Sequence, residues 1–575
     1  MKIAIAQINT KVGDIQGNSI KIKKIIEKAA KLDIELIVFP ELSLTGYPPK
    51  DLLNNKDFVT ANLSELEKIA HFAGKTACII GHIDFNPSLK GKALFNSAAL
   101  IHKGKIVAKR HKSLLPDHDI FDESKYFEPF GKNIPLEFKK QKISITICDD
   151  ILQDGPSPRK QIYKNNPISN LTKTRPDIII NISASSYCEG KTIKRNKLLT
   201  KIAKKTGSHL IYCNLVGAND ELIFDGNSMV FDPKGKTIAQ AAAFKEELLI
   251  LDLKNPDDFK IPEQLSKEEE CIQALTLGIK DFFHKQGFKK AVLGMSGGID
   301  SALVGALAVR ALGKENVSAV MMPSKYTSKE STNDAKELCK NLGIESQIIP
   351  INSIHKAYSE NIFKEKKENA TDTAEQNIQA RIRGNILMAL ANKNNWLVLA
   401  TGNKSESAVG YCTLYGDTTG AIAPIGDILK TDVYKIAKHL NKDSVVIPQA
   451  IINKAPSAEL KPNQKDQDDL PPYGTLDKII TAYIEEDISP QNIVDSGISD
   501  KKTVFSIIKK IDANEFKRKQ FPLSFKVSKK SLGCCRNMPL VKDMSFVFKH
   551  ETTTHSSTTS ADKQAPPTLK TAKSK

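Results

Sequence analysis

The sequence predicts a two-unit α/β protein, and three observations predict it. Short β-rich runs alternate with amphipathic, Lys-bearing stretches over residues 2–253, a second strand–helix rhythm opens near residue 268, and the Pro- and charge-bearing stretch NPDDFKIPEQLSK lies between them. A chain of 575 residues accommodates this, since α/β units of about 250–300 residues are ordinary. Hydrophobic residues at 40% and charged residues at 26% exclude a chain that is mostly disordered, collagen-like or membrane-spanning. The longest apolar runs, such as residues 301–312, are broken by Arg or Gly well short of the roughly 20 residues that a bilayer requires, so no transmembrane span is expected.

In the first unit the start, MKIAIAQINT, alternates like a strand and carries no basic leader or apolar signal core, so export is not expected. IELIVFPE, TACIIGHIDF, SAALIHKGKIV, KISITICDD, PDIIINISAS, GSHLIYCNLVG and NSMVFDPKG each read as one strand with turn residues behind it. The second unit opens with a helix over about 268–285 and continues as strand KKAVLGMS, loop SGGIDS, helix ALVGALAVRALG, strand VSAVMMPS, a helix over 331–342 and strand ESQIIPI. That βαβ rhythm implies parallel strands joined by right-handed crossovers, a doubly wound sheet. The Pro- and Asp-rich residues 455–476 read as an ordered functional loop or a lid, and from about 551 the Thr, Ser, Lys and Pro composition cannot build a core. The resulting boundaries are 1–253, a linker at 254–267, 268–550, and a disordered tail at 551–575.

Eighty-four Lys and Arg against 66 Asp and Glu leave a net charge of +18, but the lysines are scattered through every segment instead of forming basic blocks. Solvated surface and small anionic substrates are therefore expected, not nucleic acid and not a membrane. Nine cysteines without a CxxC pair match neither a disulfide framework nor a zinc site, and a reducing cytoplasm fits best.

The string GMSGGIDS, comprising Gly294, Met295, Ser296, Gly297, Gly298, Ile299, Asp300 and Ser301, places small residues between a strand and a helix. Glycines let the backbone approach an anion, the helix N-terminus favours phosphate, Ser296 and Ser301 add hydroxyls, and Asp300 puts a carboxylate where a phosphate-bound Mg²⁺ would sit. It lacks the Gly-Lys-Ser/Thr ending of a Walker A loop. This string resembles the pyrophosphate loop of the N-type ATP pyrophosphatases. QNIQARIRGNILMALAN, LATGNKSESAVGYCTLYGD, APIGDILKTDVYKIA and KAPSAELKPNQKDQDDLPPYGTLD narrow the resemblance to the NAD synthetase family over about 200 residues, continued by FKRKQFP and KSLGCCRNMPL. The resemblance implies a Rossmann-like ATP pyrophosphatase fold and adenylation of a carboxylate substrate. It assigns residues 294–301 and Thr401 to ATP; Asn377, Glu406 and Lys517 to the deamidated dinucleotide; and Asp300 and Glu406 to Mg²⁺. On a helix Asn377 shares a face with Arg381, which together with Arg383 could equally serve charge balance.

A source of ammonia would complete such a reaction. Glu41 in FPELSLTGYPP, Lys112 in KRHKSLLP and Cys148 in ISITICDD each stand where a strand-like run ends, so they could converge at one sheet edge as base, cation and nucleophile. Taken singly, Cys148 reads as a buried structural cysteine. The surrounding strings resemble the nitrilase superfamily over about 250 residues, and GYPPKDLL, LPDHDIFDESKYF and SASSYCEGK look like the glutaminase domain of glutamine-dependent NAD synthetases. That resemblance implies an α-β-β-α sandwich. It makes Glu41 the base, Lys112 the oxyanion-side cation and Cys148 the nucleophile, with Ser185, Lys191, Tyr47 and the residue at His118 contacting glutamine. Three positions depart from the pattern: His118 where Tyr is usual, Cys188 where His is common, and Asp149 where Glu follows the nucleophile. It also implies a homo-oligomer. Two other readings stay open: a tRNA-modifying ATP pyrophosphatase, and a nucleotide-binding regulatory protein with a degenerate glutaminase.

Overall fold

The computed structural model describes residues 1–544, apart from 89, 118, 132–133, 155–165, 256–258, 260, 363–371 and the side chains of 152–154. His118 and the tail expected from 551 lie outside the described residues, as does most of the stretch that follows Cys148.

Two six-stranded sheets build the first unit. The first runs in the spatial order Glu247–Asp252, Lys2–Gln7, Leu36–Val38, Ala77–Phe85, Leu94–His102, Lys105–His111. The second runs Thr237–Gln240, Met229–Phe231, His209–Asn214, Ile178–Ser183, Gln141–Ile147, Leu136–Phe138. Parallel pairs occupy the centre of each sheet and antiparallel pairs the edges.

Side-chain alternation sets the layers. Ile3 and Ile5 point into the core between the sheets and meet Ile145, Ile180 and Ile182, whereas Ala4 and Ala6 face the helices Ile15–Lys31 and Lys56–Phe72 through Ile22, Ile26 and Leu66. In the second sheet Ile179 faces the opposite way from Ile180, onto Leu198, Leu199 and Ile202 of the helix Lys191–Thr206. Both faces of both sheets are thus buried, which is why these strands read as nearly continuous apolar runs. The architecture is the expected α-β-β-α sandwich.

One strand expectation is corrected. SAALIHKGKIV is a hairpin between Leu94–His102 and Lys105–His111, turning at Lys103 (φ 50°) and Gly104 (φ 78°). Two successive left-handed residues give the twist that a tight hairpin needs, and the non-glycine at the first position disguised the turn.

The second unit opens with the helix Lys267–Gln286, capped by Ser266, whose side chain accepts from the Glu269 amide. Its sheet is wholly parallel, in the order Glu345–Ile348, Val317–Met321, Ala291–Gly294, Leu397–Leu399. The chain leaves Ala291–Gly294 toward one edge and returns on its other side, so the crevice beyond that strand's carboxyl end is a topological switch point. The two units share a core. Tyr187, Ala218, Ile223 and Phe244 of the first pack with Ile272, Leu275 and Ile279 of the second, and Asp281 accepts from the Asn9 side chain and the Ala218 amide, both at 2.7 Å. Among the described residues no helix is long and apolar enough to cross a membrane.

Candidate active sites

In the first unit, three strand ends bring Glu41, Lys112 and Cys148 together. Glu41 is fully buried. Its Oε1 accepts from Lys112 Nζ and from Asn96 Nδ2, each at 2.7 Å, and its Oε2 accepts from the Ala184 amide at 2.8 Å. Lys112 Nζ also donates to Glu123 Oε1 at 2.8 Å, which in turn accepts from Tyr47 Oη at 2.7 Å. Burial works to strip the proton from Lys112, but the carboxylates of Glu123 and Glu41 outweigh it and hold its pKa well above the usual lysine range. The ammonium is therefore a fixed cation.

In this unit, Glu123 is a site residue that sequence reasoning missed. Burial and the nearby Glu41 charge push its carboxyl up to about 7 against the pull of Lys112, and its Oε2 has no hydrogen-bond partner among the described residues. Two carboxyl groups share one ammonium here. Its only sequence trace is a Glu inside the family-like string LPDHDIFDESKYF.

Cys148 begins the turn directly after Gln141–Ile147, with φ at 42°. A non-glycine residue in the left-handed region is strained, and such strain persists only where its surroundings impose it. Asp150 imposes it: buried, it accepts from the Ile147 amide at 3.0 Å and from the Ser113 and Leu114 amides at 2.8 and 2.9 Å, tying the cysteine turn to the chain just past Lys112. Burial first, and then the Glu41 charge, raises the Cys148 thiol well above its ordinary value, with Lys112 opposing. The thiol at rest is neutral and needs a base. Asp149, adjacent, is buried, and its Oδ1 is 3.6 Å from Cys148 Sγ.

Ser185 and Lys191 sit on the loop leading into the helix Lys191–Thr206. The Ser185 amide donates to Asn214 Oδ1 at 2.9 Å, and Lys191 Nζ to the Ser186 carbonyl at 2.7 Å. Burial lowers the Lys191 pKa. Tyr47 lines the same apolar wall as Phe127, Leu215 and Phe224. Cys188 lies on this loop as well.

In the second unit the switch-point crevice opens into a cavity of about 520 Å³, within the range of small-molecule sites. Its floor is the loop after Ala291–Gly294. The Gly298 amide donates to Ser296 Oγ at 3.2 Å, and Ser301 Oγ donates to the Gly298 carbonyl at 3.0 Å. Gly297 has φ +81°, and a Cβ there would stand 2.1 Å from the Ser331 carbonyl oxygen, so only glycine fits. The side chains of Met295 and Ile299 belong to the core, which leaves their backbone for the loop.

Asp300 and Glu406 face one cation, Lys430, which the sequence reading did not single out. Lys430 Nζ donates to Asp300 Oδ2 and, at 3.2 Å, to Glu406 Oε1, while Asp300 Oδ1 accepts from Asn403 Nδ2 at 2.9 Å. Burial, opposed by Lys430 and aided by Asp300, pushes Glu406 up to about 8. Thr401, Asn377 and Lys517 also line the cavity. Asn377 Oδ1 accepts from Thr413 Oγ1 at 2.8 Å. Lys517 Nζ donates to the Gly410 and Cys412 carbonyls at 2.7 and 2.8 Å, at the end of the helix Lys404–Val409. Arg381 and Arg383 donate to the Leu414 and Met322 carbonyls. Residues 455–460 with Gln464, Asp466 and Asp469 form one wall, as expected for an ordered functional loop.

Two family models match the chain in tandem, carbon-nitrogen hydrolase over residues 2–257 and NAD synthase over residues 271–521. The chain is 42% identical over 549 residues to the glutamine-dependent NAD(+) synthetase of Synechocystis sp., an alignment that covers 94% of this chain and 98% of that one. It is 39% identical to the protein of that name from Thermotoga maritima, with the same coverage. The solved structure of glutamine-dependent NAD+ synthetase from Acinetobacter baumannii superposes with a TM-score of 0.74 at 34% identity, covering 94% of this chain and 98% of that one. Because the identity runs through both catalytic units and not through one alone, the chain belongs to the glutamine-dependent NAD(+) synthetase family.

Proposed function

We propose that residues 1–253 hydrolyse L-glutamine and that residues 268–550 use the released ammonia to amidate deamido-NAD to NAD at the expense of ATP, with 254–267 joining them. The observation that carries this reading is that one chain holds both a buried Glu41–Lys112 pair within electrostatic reach of Cys148 and a phosphate-loop cavity bearing Asp300 and Glu406.

In the first unit Glu41 takes the proton of the Cys148 thiol as sulfur attacks the amide carbonyl, then returns it to the departing ammonia. Lys112 stabilises the oxyanion, as a preorganised charge in a dry site does. Water, activated by Glu41, cleaves the thioester and releases glutamate. Tyr47, Ser185 and Lys191 hold the substrate, and His118 completes that set. In the second unit the nicotinate carboxylate attacks the α-phosphorus of ATP, pyrophosphate leaves, and ammonia attacks the acyl adenylate, releasing AMP. Residues 294–301 and Thr401 hold ATP; Asn377, Glu406 and Lys517 hold the dinucleotide.

Asp300 and Glu406 offer hard oxygen donors, a chemistry that fits Mg²⁺, and these two carboxylates would hold the ion that arrives with nucleotide. Bound there, Mg²⁺ would neutralise charge on the leaving pyrophosphate.

The partners of this reaction are small molecules, and two of them, ATP and the deamidated dinucleotide, are anions, which accounts for part of the +18 without nucleic acid or membrane. All nine cysteines are free thiols, compatible with a cytoplasmic setting, and a homo-oligomer is part of the proposal. The test supplies glutamine, ATP, Mg²⁺ and deamido-NAD. NAD, glutamate, AMP and pyrophosphate in equal amounts support the reading, and ADP in place of AMP overturns adenylation.

A further inference from the structure

Resting on that reading, we propose that residues 523–528 are a strap holding the glutamine-pocket loop in register with the nucleotide site, and that Lys404 and Asp427 are the positioning residues that anchor it. The strap belongs to the second unit but bonds to both. Leu523 bridges Ile422 and accepts from the Ala423 amide at 2.8 Å, on the side of the parallel sheet. Three residues on, the Lys526 amide donates to the Glu221 carbonyl at 2.8 Å, and the Val527 carbonyl accepts from the Glu189 amide at 2.9 Å. Glu189 lies between Ser185 and Lys191. Lys526 Nζ, with its side chain only 4% exposed, pairs with Asp119 at 3.1 Å in the first unit.

The anchor is a buried charge cluster. Lys404 is fully buried; its Nζ donates to Ser528 Oγ at 2.6 Å, to Glu485 Oε1 at 2.7 Å and to the Lys530 carbonyl at 2.9 Å, with Asp427 Oδ1 at 3.0 Å. Asp427 accepts from the Val527 and Ser528 amides at 2.9 and 2.8 Å and from Ser528 Oγ at 2.9 Å. Lys404 is the first residue of the helix Lys404–Val409. The preceding Asn403 caps that helix and bonds Asp300, and Glu406 is its third residue. Backbone and side-chain bonds therefore run without a gap from the two phosphate-side carboxylates, through Asn403, Lys404 and Asp427, to the strap and on to Glu189.

A lysine this buried, with every donor used and two carboxylates beside it, permits little slack, since breaking one partner leaves an unpaired charge in a dry site. Any rearrangement of Asn403 and Glu406 when nucleotide binds is then felt at Ser528, and coupling of this kind is reciprocal between the two sites.

The experiment uses the full chain with Ser528→Ala, which removes one hydroxyl and leaves the backbone bonds, and with Lys526→Met, which removes the Asp119 pair. For each, NAD formation is measured with glutamine and with ammonium, alongside the glutamine KM. The expected result is an ammonium-supported rate within about twofold of the parent, with the glutamine-to-ammonium ratio lowered about tenfold, in the range typical of intersite coupling. A ratio unchanged from the parent, whether both rates fall or neither does, overturns the strap's role. If the parent chain itself makes no NAD from ammonium, the proposed function fails instead, and the two failures are distinguished.

Discussion

Glu123→Gln removes one of the two carboxyl groups that share Lys112 while keeping its shape. Burial raises the Glu123 carboxyl from an ordinary 4.5 to about 7, so the folded protein binds this proton more tightly than the unfolded chain does. A raised acid contributes stability that is fully present below the unfolded value and is lost as pH climbs through the folded one, here between 4.5 and about 7. At about 1.4 kcal/mol per pKa unit, the shift corresponds to at most about 3–4 kcal/mol. Asp150 at about 6 and Glu406 at about 8 tilt the parent's stability the same way, so only the difference between parent and variant isolates Glu123. Unfolding by urea at about pH 5 and about pH 8 should show the variant gaining on the parent by about 1–3 kcal/mol across that interval. Glutamine-supported turnover should fall because Lys112 loses a tether, with ammonium-supported turnover intact. A stability difference that does not change with pH would refute the raised carboxyl at Glu123.

Other perturbations separate the two units. Gly297→Ala should abolish NAD formation from either nitrogen source while glutamine hydrolysis persists, because its Cβ meets the Ser331 carbonyl and the phosphate loop must distort; retention of ATP affinity in equilibrium dialysis would contradict this. Lys430→Met leaves Asp300 and Glu406 facing each other without a cation, and we expect a loss of about 3–5 kcal/mol in thermal or urea unfolding, partly restored by Mg²⁺ with ATP. An unaltered unfolding midpoint would show that the pair is not held by that lysine.

Much of the account was legible in the sequence where the chemistry is local. The strand, glycine loop and helix of 291–312 follow one another without interruption, so a short string carries the site, and the φ of Gly297 explains why glycine stands there. Glu41, Lys112 and Cys148 could be read as strand ends, but not the reason they meet, because the sheet order that gathers them is non-local. Glu123 was missed for the same reason: it lies 76 residues from Tyr47 and 11 from Lys112, at no helical or strand spacing. Lys430 was hidden among a surplus of lysines, and only burial between two carboxylates sets it apart. Lys517, expected at the dinucleotide, lines the cavity while spending its donors on the carbonyls that end the helix Lys404–Val409. The reverse hairpin at Lys103 shows how a non-glycine residue with positive φ defeats a pattern search.

The central claim is that nitrogen made in one unit is spent in the other. Cys148→Ala tests it most directly: with glutamine, ATP, Mg²⁺ and deamido-NAD the variant should form no NAD, and ammonium should restore the parent's rate. A folded variant that still makes NAD from glutamine, or that fails with ammonium as well, would contradict the division of labour between the two sites.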